Sequence, residues 1–338
     1  MAKKNGKALA TKKSIQDVAA CAGVSIATVS RTFQYPDRVA KKTRDIVNAA
    51  ARDLNYAPNA HARSLRTSKT SLIVAMIPDV TNPFFAEIIR GIEKIAKRNG
   101  YSLLLGDTQN VPENEQRYGD MVSTRQVDGM LTLIQRVPDI RREGQLPVVN
   151  ACEPVDDPNI SSVLIDNVAS FREGVSYLTA LGHKHIAFVS GPSKSCKARR
   201  QGFDEAIEAA GLTVPSEHYQ SGDFSIEAGR RAANLILSFG HPLTAFACVS
   251  DQLAIGVIQA LKDHGLSVPG DVSVLGFDDI AFARYTDPPL STVAQPKEEI
   301  GSEAMIMLLQ HIENPTLPAR KVILPTQLII RGTTAPPR

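Results

Sequence analysis

The spacing of apolar residues changes near residue 70 of this 338-residue chain. Before that point the apolar positions follow a helical period, as they do at Ile15, Val18, Ala19 and Ala22. Beyond it, compact apolar runs such as SLIVAMIP and LPVVNAC alternate with longer amphipathic segments such as PFFAEIIRGIEKIAKRNG. The short runs are typical of parallel strands buried on both faces, and the longer segments are typical of the helices that cover them. The pattern predicts a small helical head followed by a large α/β body.

The body repeats a strand-then-helix unit along its whole length. After a D-D-P-N bend a second series of strands begins, with SSVLIDN, IAFVSGP, TAFACVSD and VSVLGFDD, and VILPTQLIIRG closes the chain. Repeated βα units on this scale predict two doubly wound lobes, each built on a parallel sheet. The expected N-lobe takes residues of about 71–161 and 292–322, and the expected C-lobe takes about 162–291 and 323–338.

The head carries the local signals of a helix-turn-helix. Ser14 is placed to cap the first helix with Asp17 as its partner, and Gly23 supplies the left-handed turn that ends it. Ser25 is placed to cap a second helix, IATVSRTF, whose inward side carries Val29 and Phe33. The alanines of the first helix allow the second to cross it closely. A third helix, TRDIVNAAARDL, is expected to close the head by burying Ile46, Val47, Ala50 and Leu54.

The outward face of the second helix has the chemistry of a base-reading surface. It carries Ile26, Ala27, Thr28, Ser30 and Arg31. An exposed Ile beside Ala suits the methyl group of thymine, and Arg31 suits the O6/N7 edge of guanine. The hydroxyls of Ser25, Thr28 and Ser30, with the helix N-terminus, suit phosphates. A plain helical hairpin is the alternative interpretation.

Charge separates the two parts of the chain. Residues 1–70 hold 14 Lys/Arg against 4 Asp/Glu, whereas residues 71–338 hold 24 against 31. A basic head on an acidic body favours a polyanion as the partner of the head alone, and residues 1–13 form its basic tail. These first residues lack the apolar core of a secretory signal and no apolar run approaches the length of a membrane helix, so a cytoplasmic protein without a membrane partner is expected.

Carboxylates and aromatic rings collect at the predicted strand ends of the body. The acidic residues there are Asp79, Asp107, Asp166, Asp251 and Asp278. In doubly wound sheets ligands bind beyond these ends, where carboxylates accept hydrogen bonds from the hydroxyls of a sugar or nucleoside. Phe84, Phe85 and Phe224 could enclose a planar ring. The alternative is that an Asp after a strand caps a helix or a turn.

Other chemistry finds little support in the sequence. Cys21, Cys152, Cys196 and Cys248 are scattered without a C-x-x-C pair, so reduced thiols are expected rather than a disulfide or a metal site. No G-x-S-x-G, Walker or H-E-x-x-H motif is present, and neither an enzyme nor a cofactor is expected. A ligand-responsive DNA-binding regulator is the favoured class. A solute-binding protein would have no use for residues 14–66, and a sugar- or nucleoside-processing enzyme would show turnover.

The head contains the pattern D-V-A-x-x-A-G-V-S-x-x-T-V-S-R, followed by T-R-x-x-V-x-x-A, L-N-Y-x-P-N and A-R-S-L. With this pattern it closely resembles the headpiece of the lac-repressor (LacI/GalR) family. This resemblance implies a headpiece over 14–57 in which Ile26, Ala27 and Arg31 read bases. It also implies a hinge helix over Pro58–Arg66, with the linker running to residue 70. Leu65 would wedge into a minor-groove step and Arg66 would follow it.

The body resembles the periplasmic-binding-protein-like core of the same regulators. The resemblance implies effector contacts from Phe84, Phe85, Asp166, Arg199, Phe224 and Asp278. Phrases such as Q-V-D-G-M-L and D-P-P-L-S-T-V-A-Q-P look closest to the cytidine-repressor branch, which implies a nucleoside effector; a purine or a sugar is the alternative. The loop between Gly191-Pro192 and Gly202-Phe203 looks about two residues shorter than in close relatives, which leaves the exact role of Arg199 and the identity of the ligand open.

The resemblance also implies how the protein assembles. One head reads a short half-site, so a homodimer on a pseudo-palindromic operator is expected. The segments Phe84–Arg98 and around His311 are expected to form the dimer face. The effector either releases or strengthens DNA binding. The branch implies release, or loosened cooperation with a partner activator, for which the cAMP receptor protein is the candidate.

Overall fold

The computed structural model describes residues 13–57, 69–140 and 147–338. The chain divides into two compact units, Met1–Thr70 and Ser71–Arg338, which correspond to the head and the body. The helices of the head are α1 (Ile15–Ala22), α2 (Ile26–Gln34) and α3 (Lys41–Asp53), with a 3₁₀ turn at Pro36–Arg38.

Local side-chain caps define the helix-turn-helix. Ser14 and Asp17 form a reciprocal capping box at the start of α1, and Gly23 ends α1 with φ 63°. The Ser25 hydroxyl accepts a hydrogen bond from the Thr28 amide at 3.1 Å. These contacts confirm the predicted caps and turn, because each depends on residues within three positions of each other.

The core of the head is formed by small and branched residues from all three helices. Its buried members are Val18, Ala19, Val29, Val47, Ala50 and Ala51. The prediction that Ile46 would be buried was wrong, since that side chain is 43% exposed. Ile46 precedes the fully buried Val47 by one residue, which rotates it about 100° around the helix axis and away from the core.

The first half of the body alternates strands and helices. These elements are β1 (Leu72–Ile77), α4 (Phe84–Arg98), β2 (Ser102–Asp107), α5 (Pro112–Ser123), β3 (Gly129–Thr132), β4 (Val148–Ala151) and β5 (Ser161–Ile165).

The same alternation continues to the end of the chain. Its elements are α6 (Asn167–Ala180), β6 (Ile186–Ser190), α7 (Lys194–Ala209), β7 (Tyr219–Ser221), α8 (Ile226–Ser238), β8 (Ala245–Cys248), α9 (Asp251–Asp263), β9 (Ser273–Asp278), β10 (Ser291–Ala294), α10 (Lys297–Glu313), β11 (Lys321–Leu324) and β12 (Gln327–Ile329). Further 3₁₀ turns lie at Ser216–His218 and Ala283–Tyr285.

Two six-stranded sheets organise the body into two lobes. The N-lobe sheet has the order β11-β5-β4-β3-β1-β2, and the C-lobe sheet has the order β12-β10-β9-β8-β6-β7. The expected α/β architecture with two doubly wound lobes is confirmed. One strand departs from it, because β12 pairs with β10 in the antiparallel direction.

The chain crosses between the lobes three times, a few residues later than the sequence pattern suggested. β5 still belongs to the N-lobe sheet, β10 to the C-lobe sheet and β11 to the N-lobe sheet. The crossings therefore follow Ile165, Ala294 and Leu324. A buried strand has the same apolar sequence pattern whichever of the two sheets it joins. Periodicity alone therefore does not show where the chain crosses from one lobe to the other.

Helices α4 and α10 pack against each other in the N-lobe with their backbones in contact. A Cβ atom at Gly91 would overlap the Glu298 carbonyl oxygen, and one at Gly301 would overlap that of Ile88. The faces that carry these glycines are therefore occupied within one chain, and a dimer contact through Phe84–Arg98 or near His311 would use the remaining sides of the two helices. Within the described ranges, no helix is both long and apolar enough to cross a bilayer.

Candidate functional site

The candidate DNA-reading face lies on α2 of the head. Ser25, Ile26, Ala27 and Arg31 are exposed, and Thr28 and Ser30 are half-buried. Ile26 exposes 43% of its surface, although Val29 on the same helix is fully buried in the core of the head. The hydroxyls of Ser25 and Thr28 lie 2.9 Å apart at the start of the helix. All six residues are thus at least partly accessible, with the hydroxyls of Ser25 and Thr28 at the N-terminus of α2 and the Arg31 guanidinium about one turn further on. Leu65 and Arg66 of the predicted hinge lie outside the described residues.

Arg199 is the centre of the candidate effector site. It lies on α7 and is buried. Its Nε donates to Asn167 Oδ1 at 2.8 Å, and its Nη1 donates to the Val249 carbonyl oxygen at 2.5 Å. The guanidinium lies 3.8 Å from the centre of the Phe277 ring. These contacts, from α6, from the residue after β8 and from β9, hold a buried cation in one orientation, which suits the recognition of a ligand.

Asp278 faces Arg199 at the carboxyl end of β9. Its Oδ1 lies 3.9 Å from Arg199 Nη1 and accepts a hydrogen bond from Gln295 Nε2 at 2.7 Å. Burial raises the pKa of Asp278 to about 6, although Arg199, Gln295 and Lys297 act in the opposite direction. The carboxylate is therefore present near neutral pH at a cost in free energy, as is common at ligand sites.

The backbone at this point is strained. Asp278 and Asp279 both have positive φ, 113° and 51°. The buried ammonium of Lys297 holds both carbonyl oxygens, at 2.6 and 2.7 Å. It also lies 3.8 Å from Glu87 on α4, so it connects the C-lobe turn to the N-lobe. Strained non-glycine residues with this degree of support are typical of binding sites.

The predicted aromatic residues occupy both lobes. In the N-lobe, Phe84 and Phe85 begin α4 with their ring centres 5.1 Å apart, nearly edge to face. In the C-lobe, Phe224 packs on Gly191, where a Cβ atom would lie 2.7 Å from its ring. Glycine at 191 therefore allows the Phe224 ring to sit close to the start of α7.

Several predicted carboxylates have local partners. Asp166 is exposed and caps α6 through the Ala169 amide, while its neighbour Asn167 is the residue that contacts Arg199. Asp79 accepts from Thr81, and Asp107 accepts from Val80. Asp251 is fully buried and accepts from the Ile280 amide and the Thr292 hydroxyl. The alternative reading of Asp79, Asp107 and Asp251 as turn and framework residues is the one the structure supports.

Contacts between the lobes involve residues that the sequence analysis missed. Glu153 Oε2 accepts from the Ser195 amide at 3.2 Å, and Gln135 Oε1 accepts from the Lys194 amide at 3.2 Å. Lys194 Nζ also pairs with Asp156 at 2.5 Å. Glu153 follows the carboxyl end of β4, the same position that singled out the aspartates, so a sequence signal was available.

A separate cavity of about 260 Å³ opens beside this site in the C-lobe. It is lined by Phe188, Ser190, Gly191, Cys196, Lys197, Arg200, Tyr219, Gln220 and Ser221. None of the predicted effector contacts lines it, although it shares Gly191 with the packing of Phe224. Over the described parts of the chain, no group of three or more His, Cys, Asp or Glu side chains is arranged to hold a metal ion.

Comparison with known proteins gives this arrangement a family. Residues 14–59 match the model of bacterial regulatory proteins of the lacI family, and residues 175–334 match the periplasmic binding protein-like domain. The HTH-type transcriptional repressor CytR of Escherichia coli (strain K12) is 39% identical over 330 residues, which covers 96% of this chain and 97% of that protein. The HTH-type transcriptional repressor PurR of Photobacterium profundum is 35% identical over 329 residues, covering 94% and 97%.

Solved structures agree with these relatives. A lac repressor dimer bound to operator and an anti-inducer is similar to this chain, with a TM-score of 0.82 and 27% sequence identity. The similarity covers 96% of this chain and 100% of that one. A complex of the transcriptional regulator CelR with cellobiose is similar with a TM-score of 0.72 and 28% identity, covering 95% and 100%. The chain therefore belongs to the lacI family of bacterial regulatory proteins, and it is a DNA-binding transcriptional repressor with a periplasmic-binding-protein-like domain for a small effector.

Proposed function

We propose that this repressor binds a pseudo-palindromic operator as a homodimer. We propose further that a nucleoside bound in the cleft between the lobes controls its affinity for the operator, with cytidine as the first candidate. The observation that carries the proposal is the buried Arg199–Asp278 pair, 3.9 Å apart at the carboxyl end of β9. A fixed cation next to an acceptor suits a ligand with both hydroxyl and ring-nitrogen groups.

The effector contacts in this proposal are Phe84, Phe85, Asp166, Arg199, Phe224 and Asp278. The rings would enclose the base from both lobes, since Phe84 and Phe85 lie at the start of α4 and Phe224 lies beside the start of α7. Similarity to CytR favours cytidine. Similarity to PurR and to the CelR–cellobiose complex keeps a purine and a sugar as alternatives.

On the DNA side, Ile26, Ala27 and Arg31 would contact base edges. Ser25, Thr28 and Ser30 would contact phosphates through their hydroxyls, and those of Ser25 and Thr28 lie at the N-terminus of α2. Leu65 would open a central minor-groove step between the two half-sites, and Arg66 would enter the groove beside it.

The proposed dimer face is an apolar patch at the β2 edge of the N-lobe, formed by Val80, Leu105 and Val111. All three side chains are exposed. β2 is the outermost strand of its sheet, and the Val80 amide donates to Asp107 at the end of β2, which places the patch on one side of the lobe. In the C-lobe, Phe282 and Tyr285 are also exposed and would extend the contact. The lac repressor that resembles this chain is itself a dimer on its operator.

Effector binding would change the angle between the lobes and so the spacing of the two hinges. Cytidine would lower operator affinity or loosen cooperation with a partner activator, for which the cAMP receptor protein is the proposed candidate. A coupling free energy of about 1–3 kcal/mol corresponds to a change in operator affinity of roughly 5- to 150-fold.

The test is a titration of the full-length protein with labelled genomic fragments against bulk competitor DNA, with and without cytidine. We expect at least one fragment to bind selectively and cytidine to weaken that binding by the factor above. The Arg31→Ala variant should lose about 1–3 kcal/mol and its preference at one base pair. Absence of preference for any fragment, in either condition, would refute the proposal.

A further inference from the structure

We propose that Glu153 contacts the effector and selects nucleosides whose exocyclic amino group faces it, such as that of cytosine, over their oxo counterparts. This inference rests on the proposed nucleoside response and specifies which feature of the nucleoside is recognised.

Glu153 belongs to the N-lobe but faces the C-lobe. It follows β4, and its Oε2 accepts from the amide of Ser195 in the first turn of α7 at 3.2 Å. The Ser195 hydroxyl lies 3.5 Å from the Cys152 carbonyl oxygen and from Asn167 Nδ2. Asn167 in turn holds Arg199. A short chain of hydrogen-bonded groups thus connects Glu153 to the cation at the centre of the candidate effector site.

Two carboxylates share this one cation. Asp278 lies 3.9 Å from Arg199 Nη1, and Arg199 also lowers the pKa of Glu153 electrostatically. Burial nevertheless raises the pKa of Glu153, and Glu153 raises that of Asp278. The Lys297 ammonium, the other cation acting on Asp278, donates to backbone carbonyl oxygens. Glu153 and Asp278 therefore both interact electrostatically with the Arg199 guanidinium, and burial disfavours the charge on each of them.

A ligand group in this position must supply hydrogen-bond donors. An ionised carboxylate only accepts hydrogen bonds, so an amino group facing Glu153 satisfies it. A carbonyl oxygen in the same place would oppose one acceptor with another, and the ligand oxygen would receive no hydrogen bond from Glu153. Cytidine carries an amino group and an acceptor ring nitrogen beside it, whereas uridine carries an oxo group beside a ring N–H. Adenosine and inosine differ in the same way, so the preference applies where the exocyclic group, and not the ring nitrogen, faces Glu153. The amino member of each pair should bind about 10- to 100-fold more tightly.

The experiment measures dissociation constants of the full-length protein for cytidine, uridine, adenosine and inosine by isothermal titration calorimetry. The Glu153→Gln variant keeps an acceptor for the Ser195 amide but adds a donor for a ligand carbonyl. We expect it to bind both members of a pair within about threefold, and retention of operator binding in the absence of ligand shows that it folds.

The matched control is Asp156→Asn. Asp156 also makes a charged contact from the N-lobe to the first turn of α7, through Lys194 Nζ, but its side chain is 86% exposed. This control should keep the preference of the unmodified protein. If it loses the preference to the same degree as Glu153→Gln, Glu153 acts through lobe closure and the inference is wrong.

The remaining outcomes separate the inference from the proposed function. Equal binding of cytidine and uridine by the unmodified protein, or a Glu153→Gln variant that keeps the preference, overturns the inference and leaves the nucleoside response intact. Failure of all four nucleosides to bind a protein that still binds operator overturns both.

Discussion

At the residue scale, Asp278 combines a functional position with a cost in stability. Its pKa is raised from 3.8 to about 6 by burial, so its folded-state value lies above its unfolded-state value. The stabilising contribution of such a group is present below pH 4 and is lost as the pH rises through 6. Arg199, Gln295 and Lys297 only partly offset the penalty, and Glu153 adds to it.

Replacing Asp278 by Asn should therefore stabilise the ligand-free protein at pH 8. The amide resembles the protonated acid, keeps an acceptor for Gln295 and removes the buried charge. We expect a gain of about 1–3 kcal/mol at pH 8 that disappears as the pH falls from 6 toward 4. Urea unfolding at pH 8, 6 and 4.5 measures this gain in the free energy of unfolding.

The control is Asp166→Asn, at an exposed helix cap where Asn is an equally good residue. A less stable Asp278→Asn protein at pH 8 would show that the Arg199 attraction outweighs desolvation.

The sequence predicted a site residue correctly only where its position at the end of a strand also placed it next to other site residues in the folded protein. The carboxyl ends of strands singled out Asp278, which does meet Arg199. The same rule singled out Asp166 and Asp251, whose partners are a helix amide and framework groups respectively. An Asp after a strand has the same sequence signature in each case. Its partners depend on which elements pack above it, and residues far apart in the chain provide them.

At the element scale, the α4–α10 pair shows how two amphipathic helices become a fixed unit. The Gly301 backbone lies against Ile88, and Gly91 lies against Glu298, so no side chain separates the axes there. Lys94 and Glu298 add an exposed ion pair across the same contact. Helix periodicity predicts both helices but does not predict that they meet at these glycines.

The Gly301→Ala variant tests that packing. In an isolated helix, alanine is about 1 kcal/mol more favourable than glycine. The variant would therefore be more stable than the unmodified protein if α4 and α10 were loosely packed at this point. Because the added methyl group would overlap the Ile88 carbonyl, we expect instead a loss of about 1–3 kcal/mol in the free energy of unfolding. The neighbouring Ser302→Ala substitution, which removes only a 3.4 Å hydrogen bond to the Gly91 carbonyl, should cost less than about 1 kcal/mol. Urea denaturation of both variants distinguishes the two outcomes.

At the scale of the whole molecule, function requires two copies of the chain to present their heads to one operator. The apolar patch of Val80, Leu105 and Val111 is the proposed contact in the N-lobe. Edge strands that expose apolar side chains normally pair or are covered, because otherwise they cause aggregation. Leu105 is 40% exposed on such a strand.

A Leu105→Glu variant should consequently be monomeric in light scattering and should bind operator at least about tenfold more weakly, since one half-site contact is then lost per binding event. Ile226→Glu is the matched control, because Ile226 is an apolar residue of similar exposure, 45%, on α8. The control should remain dimeric. A dimeric Leu105→Glu protein would exclude this patch as the contact.

The amino-acid sequence by itself determined the features that depend on neighbours along the chain. The Ser14–Asp17 capping box, the left-handed turn at Gly23 and the outward position of Ile26 and Arg31 follow from spacing within one or two helical turns. The alternation of buried strands and amphipathic helices likewise follows from local period, and it fixed the α/β class.

Only the tertiary structure decided the features that depend on which distant segments meet. It placed Glu153 of one lobe against α7 of the other and paired Arg199 with Asp278. It also set the three crossings between the lobes. The physical reason is that burial and charge pairing depend on distances through space, and the order of strands in a sheet sets those distances, which no local period encodes.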